Sequence, residues 1–151
     1  MWPALAGLFP FFDTDTVGYF VSSDSLHYPW FFQADRVFPT PEFSFVYPLW
    51  PIKKILKDKK LAILINSKTA SAAEAIIIAF KGQKDVKFFG EPSAGYPTAT
   101  LGYTLQSGKI LVVTTGLMAT RDKIVYHENG IEPDYFSIEE PREKAISWIL
   151  E

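Results

Sequence analysis

The segment from Leu61 to Gly90 places the tightest constraint on the fold of this chain. It opens with "LAILI" (Leu61–Ile65), a continuous apolar run of strand length that is typical of a strand covered on both faces. A helix is predicted from Ala70 to Lys81, and Gly82 ends it. Its "AIIIAF" is apolar on every side, which predicts burial. "VKFFG" (Val86–Gly90) forms a second strand, so the order predicts a βαβ unit with a right-handed crossover.

The elements on either side complete a single α/β domain. A short buried helix within residues 1–12 and a strand at Val17–Val21 are predicted before the unit. After it, "TATLGYTLQSGKILVVTT" predicts a hairpin that turns at Gln106–Lys109. A strand at Ile124–Tyr126 and a final helix over residues 141–150 follow. The apolar face of that helix is expected to comprise Ala145, Ile146, Ile149 and Leu150.

Residues 22–51 are predicted to be an irregular, aromatic-rich excursion. They contain five prolines, at positions 29, 39, 41, 48 and 51, with several aromatic residues between them. Because proline lacks an N–H donor and fixes its own φ, this density argues against a long regular element. A short strand at "FSFVY" is the one regular piece considered for this segment.

Composition excludes several classes of function. Hydrophobic residues make up 48% of the 151 and charged residues 21%, which suits one packed domain rather than disorder. The net charge of −2 gives no electrostatic reason to expect nucleic acid as a partner. Cysteine is absent, so disulfides, thiolate metal sites and a cysteine nucleophile are excluded.

The opening "MWPALAGLFPFF" is apolar but does not match a targeting segment. It has no basic residue and contains two prolines, so it predicts neither a signal peptide nor a membrane span.

Ser71 supports two hypotheses from the residues alone. Ser71-Ala-Ala-Glu74 fits the capping box S/T-x-x-E, in which the serine caps the helix and Glu74 returns the bond. A serine at a helix N-terminus also faces unpaired backbone N–H groups and the positive end of the helix dipole. Both would stabilise an alkoxide or a tetrahedral oxyanion. Spacing alone leaves cap and nucleophile open.

Three motifs in order resemble the C-terminal part of the S41 peptidase family. They are "LINSKTASAAEAIIIAFK", then "GEPSAG" about twenty residues later, then "GIEPD" after the hairpin. "MWPALAGLFPFF" with "VGYFV" is similar to the sequence that follows the Arg-Gly-Asn-x-Gly-Gly segment in the tricorn-like branch. The resemblance spans residues 1–134 and implies a crotonase/ClpP-like α/β core with a mixed sheet. It also implies that Ser71 is the nucleophile and that the Ala72 N–H is half of an oxyanion hole.

The chain departs from the family pattern at the general base. Processing proteases of the family carry a lysine in a Gly-Lys-Gly segment where this chain has Tyr96. Lys68 and Lys81 flank the helix away from that position and are interpreted as solvated. The tricorn-like and nisin-resistance branches use a histidine well upstream of the serine. The two histidines here, His27 and His127, match neither position.

Acidic residues near the motifs receive separate interpretations. Glu128 stands where the tricorn-like branch has a carboxylate that supports the serine–histidine pair, and a solvated turn residue is the equal alternative. Glu91 is expected to close the Gly90–Gly95 loop. Asp134 is expected to fix the turn after Pro133.

The resemblance implies a serine peptidase that hydrolyses peptide bonds near a peptide C-terminus, with no metal or cofactor. The whole chain, 1–151, would be the C-terminal part of the catalytic domain. It would be inactive alone, because the base and half of the oxyanion hole would lie in a missing N-terminal part of the parent protein. The location implied is extracytoplasmic. A non-catalytic module that binds hydrophobic ligands or peptides is the alternative. Exposed sheet edges would favour a homodimer.

Overall fold

The computed structural model describes residues 1–33, 36–40, 43–46 and 59–151. A 3₁₀ turn at Phe9–Phe11 follows the first helix. The helices are α1 (Trp2–Gly7), α2 (Ala72–Phe80) and α3 (Pro141–Leu150). The strands are β1 (Thr16–Ser22), β2 (His27–Gln33), β3 (Arg36–Thr40), β4 (Phe43–Val46), β5 (Leu61–Ile65), β6 (Val86–Gly90), β7 (Thr98–Thr104), β8 (Ile110–Ala119), β9 (Val125–Tyr126) and β10 (Tyr135–Phe136).

The predicted βαβ unit is present. β5 and β6 pair in parallel, with Leu61 opposite Val86 and Ile65 opposite Gly90, and α2 connects them. β10 adds to the far side of β6, also in parallel. The α/β prediction is therefore confirmed, and these parallel strands form a sheet of their own.

The antiparallel strands form a second sheet, in the order β4-β3-β2-β1-β8-β7, with β9 on β8. β7 and β8 are the predicted hairpin, and it closes through the bond from Leu105 N to Lys109 O, 2.8 Å long. Parallel and antiparallel pairing are thus divided between two sheets rather than mixed within one.

The buried side chains of α2 connect the two sheets. Its buried residues include Ala75, Ile77, Ile78 and Phe80, and the helix packs against β1 and β8 of the larger sheet. The same apolar cluster includes Ile65, Val86 and Phe88 of the smaller sheet. Each fully buried isoleucine contributes about 1.5–3 kcal/mol to stability, so the apolar run read from the sequence is the centre of the core.

β5 is less covered than predicted. Only Ile65 is buried along it, and Leu64 is 51% exposed. Leu61, Ile63 and Ile65 alternate onto the core side, so Leu64 lies on the opposite face, where α3 packs on β5 and leaves Leu64 half exposed.

The prediction of an irregular segment at 22–51 is wrong where the structure describes it. β2, β3 and β4 lie there, and β2 pairs with both β1 and β3. Pro29 is tolerated because pairing with β3 starts at Phe31, so Pro29 lies in the part of β2 that pairs with β1 alone. "FSFV" is a strand as considered, whereas residues 34–35, 41–42 and 47–51 of the segment lie outside the described residues.

The final helix has the predicted bounds but a different buried face. Ala145 is buried and Trp148 contacts Phe89 with ring centroids 5.9 Å apart. Ile146, Ile149 and Leu150 are exposed. The helix packs on β5 and β6 through residues three apart, so the predicted face is wrong except for Ala145.

Candidate active site

Ser71 lies at the mouth of α2 in a strained backbone conformation. It is the N-cap residue, with φ 53° and ψ −111°, a combination that residues other than glycine rarely adopt. Both Ser71 and Ala72 are exposed. The Ala72 N–H belongs to the first turn, where no intrahelical acceptor exists. The Ser71 hydroxyl and the Ala72 N–H therefore belong to adjacent exposed residues at the positive end of the helix.

Glu74 is buried directly behind Ser71 and organises the site. The return bond of the predicted capping box is present, since Glu74 Oε2 accepts from the Ser71 N–H at 2.7 Å. The same oxygen accepts from the Tyr96 N–H at 2.9 Å. Oε1 accepts from Ser93 Oγ at 2.6 Å and from the Gly95 N–H at 2.9 Å. One side chain thus joins the start of α2 to the "GEPSAGY" loop.

Ser93 extends this network to the "HENGIEPD" turn. Its hydroxyl donates to Glu74 and accepts from the Ile131 N–H at 2.7 Å. Its own N–H donates to Ile131 O at 3.2 Å. The three sequence motifs therefore meet through two side chains, Glu74 and Ser93.

Two glycines allow the loop and the turn to approach backbone to backbone. Gly95 has φ +84°, and a Cβ built on it would lie 2.2 Å from Glu128 O. Gly130 has φ +76°, and a Cβ there would lie 2.4 Å from Ser93 O. Side chains at either position would separate the segments, so glycine is required at both.

An apolar groove with a volume of about 640 Å³ opens in front of Ser71. Ser71 and Ala72 form part of its wall, and residues 98–101 of β7 form another part. Its larger side chains come from the N-terminal residue and from α1, β1, β2, β7 and β8: Met1, Trp2, Phe20, Tyr28, Leu101 and Met118. The serine hydroxyl thus borders a space large enough for several residues of an extended chain.

The predicted site residues differ in what they contribute to the site. The Glu128 backbone lies against Gly95, while its side chain is exposed. Tyr96 joins the site through its backbone, and its side chain is 63% exposed. Among the described residues the groove wall includes no histidine; His27 packs edge-on against Tyr19, and His127 lines a neighbouring groove with Ser22 and Thr115.

The lysine interpretation holds for Lys68 but is wrong for Lys81. Lys68 is exposed. Lys81 is half-buried, donates from Nζ to Glu132 O at 3.0 Å and lies 4.4 Å from the centre of the Phe88 ring. Burial lowers the pKa of Lys81 below its ordinary value, although Asp134 opposes the shift. The helix C-terminus turns this side chain inward over β6, which the sequence alone did not indicate.

The remaining acidic predictions are refined. Asp134 Oδ2 accepts from the Phe88 N–H at 2.8 Å, so it fixes the turn by binding the neighbouring strand β6. Glu91 contributes its backbone, whose N–H donates to Ile65 O at 3.1 Å, while Glu74 closes the loop. Burial, with Asp134 second, raises the pKa of Tyr126 above its ordinary 10.0.

Sequence reasoning missed the reach of Glu74, the part played by Ser93 and the apolar wall contributed by α1. The S-x-x-E spacing signals a cap, yet a carboxylate followed by alanine and isoleucines signals burial as well, and a buried carboxylate needs several donors. The burial of Glu74 could therefore have been predicted from the sequence. Ser93 and the α1 residues carry no comparable local mark, because their contacts depend on segments far apart in sequence.

The family model "Peptidase family S41" matches residues 12–137. The chain belongs to peptidase family S41. It is 33% identical over 96 residues to the nisin-resistance protein of Lactococcus lactis subsp. lactis, covering 64% of this chain and 30% of that protein. It is 32% identical over 89 residues to the chloroplastic carboxyl-terminal-processing peptidase 1 of Arabidopsis thaliana, covering 55% and 18%.

Solved structures match this S41 chain over nearly its whole length. A lipoprotein from Streptococcus agalactiae superposes with a TM-score of 0.76 at 29% identity, covering 98% of this chain and 49% of that one. A photosystem II D1 C-terminal processing protease superposes at 0.66 with 19% identity, which shows a shared fold. The chain spans less than a third of the curated relatives above and about half of the lipoprotein. Within the described residues no helix is long and apolar enough to cross a membrane.

Proposed function

We propose that this chain carries the nucleophile of a serine peptidase. Ser71 Oγ attacks the scissile carbonyl carbon and its proton passes to a general base. The tetrahedral oxyanion is stabilised by the Ala72 N–H and the α2 dipole. The amine then leaves with a proton, and water hydrolyses the resulting ester to restore Ser71. The observation that carries the proposal is the exposed, strained Ser71 at a helix mouth that borders an apolar groove.

The general base is proposed to be a histidine in sequence outside this chain, with Glu128 supporting its protonated form. Tyr96 replaces the lysine of the processing proteases, and no histidine lines the groove among the described residues. The curated relatives extend well beyond the matched region, which leaves room for such a residue. In this arrangement the 151-residue chain alone is inactive or nearly so.

Labelling with a fluorophosphonate tests both parts. We expect the product of the complete reading frame to be labelled at Ser71 and its Ser71→Ala variant to remain unlabelled. The isolated chain should label far more slowly. Labelling of the complete product that persists in Ser71→Ala would disprove the nucleophile. Efficient labelling of the isolated chain that disappears in Ser71→Ala would disprove the missing base.

The non-catalytic alternative is favoured by the apolar character of the groove and by the loss of the family lysine at Tyr96. A module of this kind would bind an apolar peptide or ligand and leave it intact. Mass spectrometry of a peptide mixture incubated with the complete product distinguishes the two. New fragments that require Ser71 indicate a peptidase, whereas retention without fragments indicates a binder.

We also propose an extracytoplasmic location, a crotonase/ClpP-like core and a homodimer for this protein. The nisin-resistance and lipoprotein relatives support the location. The outer half of the β7–β8 hairpin supports the dimer, because Leu105, Ile110 and Val112 are all at least 45% exposed. Light scattering at high concentration should give twice the monomer mass, and a Val112→Lys variant should restore the monomer. A monomer at high concentration in the unmodified chain contradicts the dimer.

A further inference from the structure

The Asn129-Gly130 pair in the "HENGIEPD" turn combines an exposed amide with the neighbour that crowds it least. Asn129 is exposed and lies in a turn. Glycine has no Cβ, so its backbone nitrogen is more accessible to the preceding side chain than that of any other residue. Within the part of the chain that the structure describes, neither the Asn129 side chain nor the Gly130 N–H makes a hydrogen bond. The amide and the nitrogen can therefore meet without giving up a partner among those residues.

Asn66 is an internal reference, because the chain contains two asparagines. It is exposed as well, but its Oδ1 accepts from the Lys68 N–H at 3.0 Å, and Ser67 follows it. This local hydrogen bond holds the Asn66 amide toward Lys68. The Cβ of Ser67 also crowds the approach of the backbone nitrogen that follows Asn66. The two asparagines thus differ in the features that decide whether the amide can be attacked.

We propose that Asn129 is a site of spontaneous modification, at which the Gly130 nitrogen displaces the side-chain amide. The nitrogen gives up its proton and bonds to Asn129 Cγ, the Cγ–Nδ2 bond breaks, and ammonia leaves with that proton. The product is a five-membered succinimide that contains the Gly130 nitrogen. Asparagine is one of the residues that limit protein lifetime in this way.

Water opens the succinimide in two ways. Attack on Cγ breaks its bond to the Gly130 nitrogen and gives aspartate on a normal main chain. Attack on the main-chain carbonyl carbon of Asn129 breaks the other bond to that nitrogen and gives isoaspartate, in which the chain continues through the former side chain. Water is the one co-reactant, and nothing is oxidised or reduced. Either product replaces a neutral amide by a carboxylate.

Isoaspartate at position 129 falls between two backbone contacts. A Cβ built on Gly95 would lie 2.2 Å from Glu128 O, and one built on Gly130 would lie 2.4 Å from Ser93 O. The chain on each side of Asn129 therefore touches the "GEPSAGY" loop directly. The isomer adds a main-chain bond of about 1.5 Å between these two contacts. Because close-packed segments transmit such a change, we expect one of the contacts to be displaced.

The displacement reaches Ser71 through hydrogen bonds. Ile131 follows the modified pair and donates its N–H to Ser93 Oγ at 2.7 Å. Ser93 Oγ donates to Glu74 Oε1, and Glu74 Oε2 accepts from the Ser71 N–H. Isoaspartate in the turn therefore loosens the network that positions Ser71, so the candidate site loses its support as the protein ages.

Peptide mapping of the aged protein tests the reaction. The unmodified chain is incubated in mildly alkaline buffer, where the Gly130 nitrogen loses its proton more readily, and samples are digested in mild acid for mass spectrometry. Isoaspartate is counted with an isoaspartyl methyltransferase. We expect deamidation at Asn129 to be at least about tenfold faster than at Asn66, with isoaspartate among the products. Equal rates at the two asparagines, or aspartate as the sole product, would overturn the proposal.

Two variants separate the added main-chain bond from the added charge. Freshly prepared Asn129→Asp carries the new charge on a main chain of normal length. Asn129→Gln should stay unmodified, because its side chain would have to close a less favourable, larger ring. We expect the purified isoaspartate fraction to have a lower urea midpoint than Asn129→Asp, and Asn129→Gln to keep its midpoint on ageing. Equal midpoints for the isoaspartate fraction and Asn129→Asp would show that the turn absorbs the extra bond, and would remove the link to Ser71.

The outcome is independent of the chemistry at Ser71. Mapping and urea unfolding follow the covalent structure and the stability of the chain, and neither requires cleavage of a peptide. A chain that deamidates at Asn129 while its complete form is not labelled by fluorophosphonate would keep the modification and remove the peptidase. Labelling at Ser71 in a protein whose Asn129 stays intact would do the reverse.

Discussion

The N–H of Ser71 donates a 2.7 Å hydrogen bond to Oε2 of Glu74, a side chain with no exposed surface. The same oxygen binds the Tyr96 N–H, so the start of α2 and the loop that enters β7 are positioned by one carboxylate. This links the strained φ of Ser71 to the strand that borders the groove. The candidate nucleophile is therefore held from inside the protein, by a residue that does not face the groove.

Glu74→Gln should be strongly destabilising although it preserves size. The four groups that surround this side chain, from Ser71, Ser93, Gly95 and Tyr96, all donate to it. An amide accepts through one atom only, so about two buried donors would lose their acceptor. At about 1–3 kcal/mol for each buried unsatisfied group, we expect a loss of about 2–6 kcal/mol in the free energy of unfolding in urea.

Glu91→Gln is the matched control for that change. Glu91 lies in the same loop and its side chain is half-buried, while its structural contact is made by the backbone N–H. We expect a change within about 0.5 kcal/mol. Similar losses for the two variants would show that Glu74 does not have the special role assigned to it.

Gly95→Ala should destabilise the fold more than Gly108→Ala. Both glycines have positive φ, +84° and +78°, so both variants incur the left-handed backbone penalty of about 1–2 kcal/mol. A Cβ at Gly108 meets nothing within 4 Å, whereas at Gly95 it lies 2.2 Å from Glu128 O. The difference in urea midpoint isolates the close contact between loop and turn. Equal midpoints would mean that the turn can move away without cost.

Local patterns predicted most of the fold. The runs Leu61–Ile65 and Val86–Gly90 have the predicted bounds, because apolar strands that flank a helix have few other arrangements. The strands at 27–40 were missed because proline density was weighted above sheet context. Pro29 is compatible with a strand only because of where pairing with β3 begins, which is a property of the tertiary structure.

The candidate site was predictable only where its contacts join residues close in sequence. Ser71 and Glu74 lie three residues apart, and their capping bond follows from that spacing. Ser93 and Ile131 lie 38 residues apart, and no local pattern links them. The inward turn of Lys81 depends on Glu132, which is also distant in sequence, and on Phe88 in the following strand.

Lys81 should make stability rise with pH in alkaline solution. Its folded-state pKa is lowered, first by burial, from the ordinary 10.5. Between the folded-state pKa and 10.5 the unfolded chain holds more protons than the folded chain, so the free energy of unfolding increases with pH in that window. Urea unfolding across the alkaline range below pH 10 should show this rise in the unmodified chain and not in Lys81→Gln.

Lys84→Gln serves as the control for the pH series, because the Lys84 side chain is 88% exposed. It should retain the slope of the unmodified chain. A slope that survives in Lys81→Gln, or disappears in Lys84→Gln, would assign the pH dependence to another group.

The strain at Ser71 should make the Ser71→Gly variant more stable than the Ser71→Ala variant. Ser71→Gly and Ser71→Ala both remove the hydroxyl, so the difference between them reports the backbone rather than the side chain. With φ 53° and ψ −111°, alanine keeps the penalty and glycine relieves it. We expect Ser71→Gly to exceed Ser71→Ala by about 1–2 kcal/mol in the free energy of unfolding. Part of this is the ordinary preference for glycine over alanine at an N-cap, which is below about 1 kcal/mol. An alanine variant as stable as the glycine variant would show that the serine conformation is relaxed and that no strain is stored at this helix mouth.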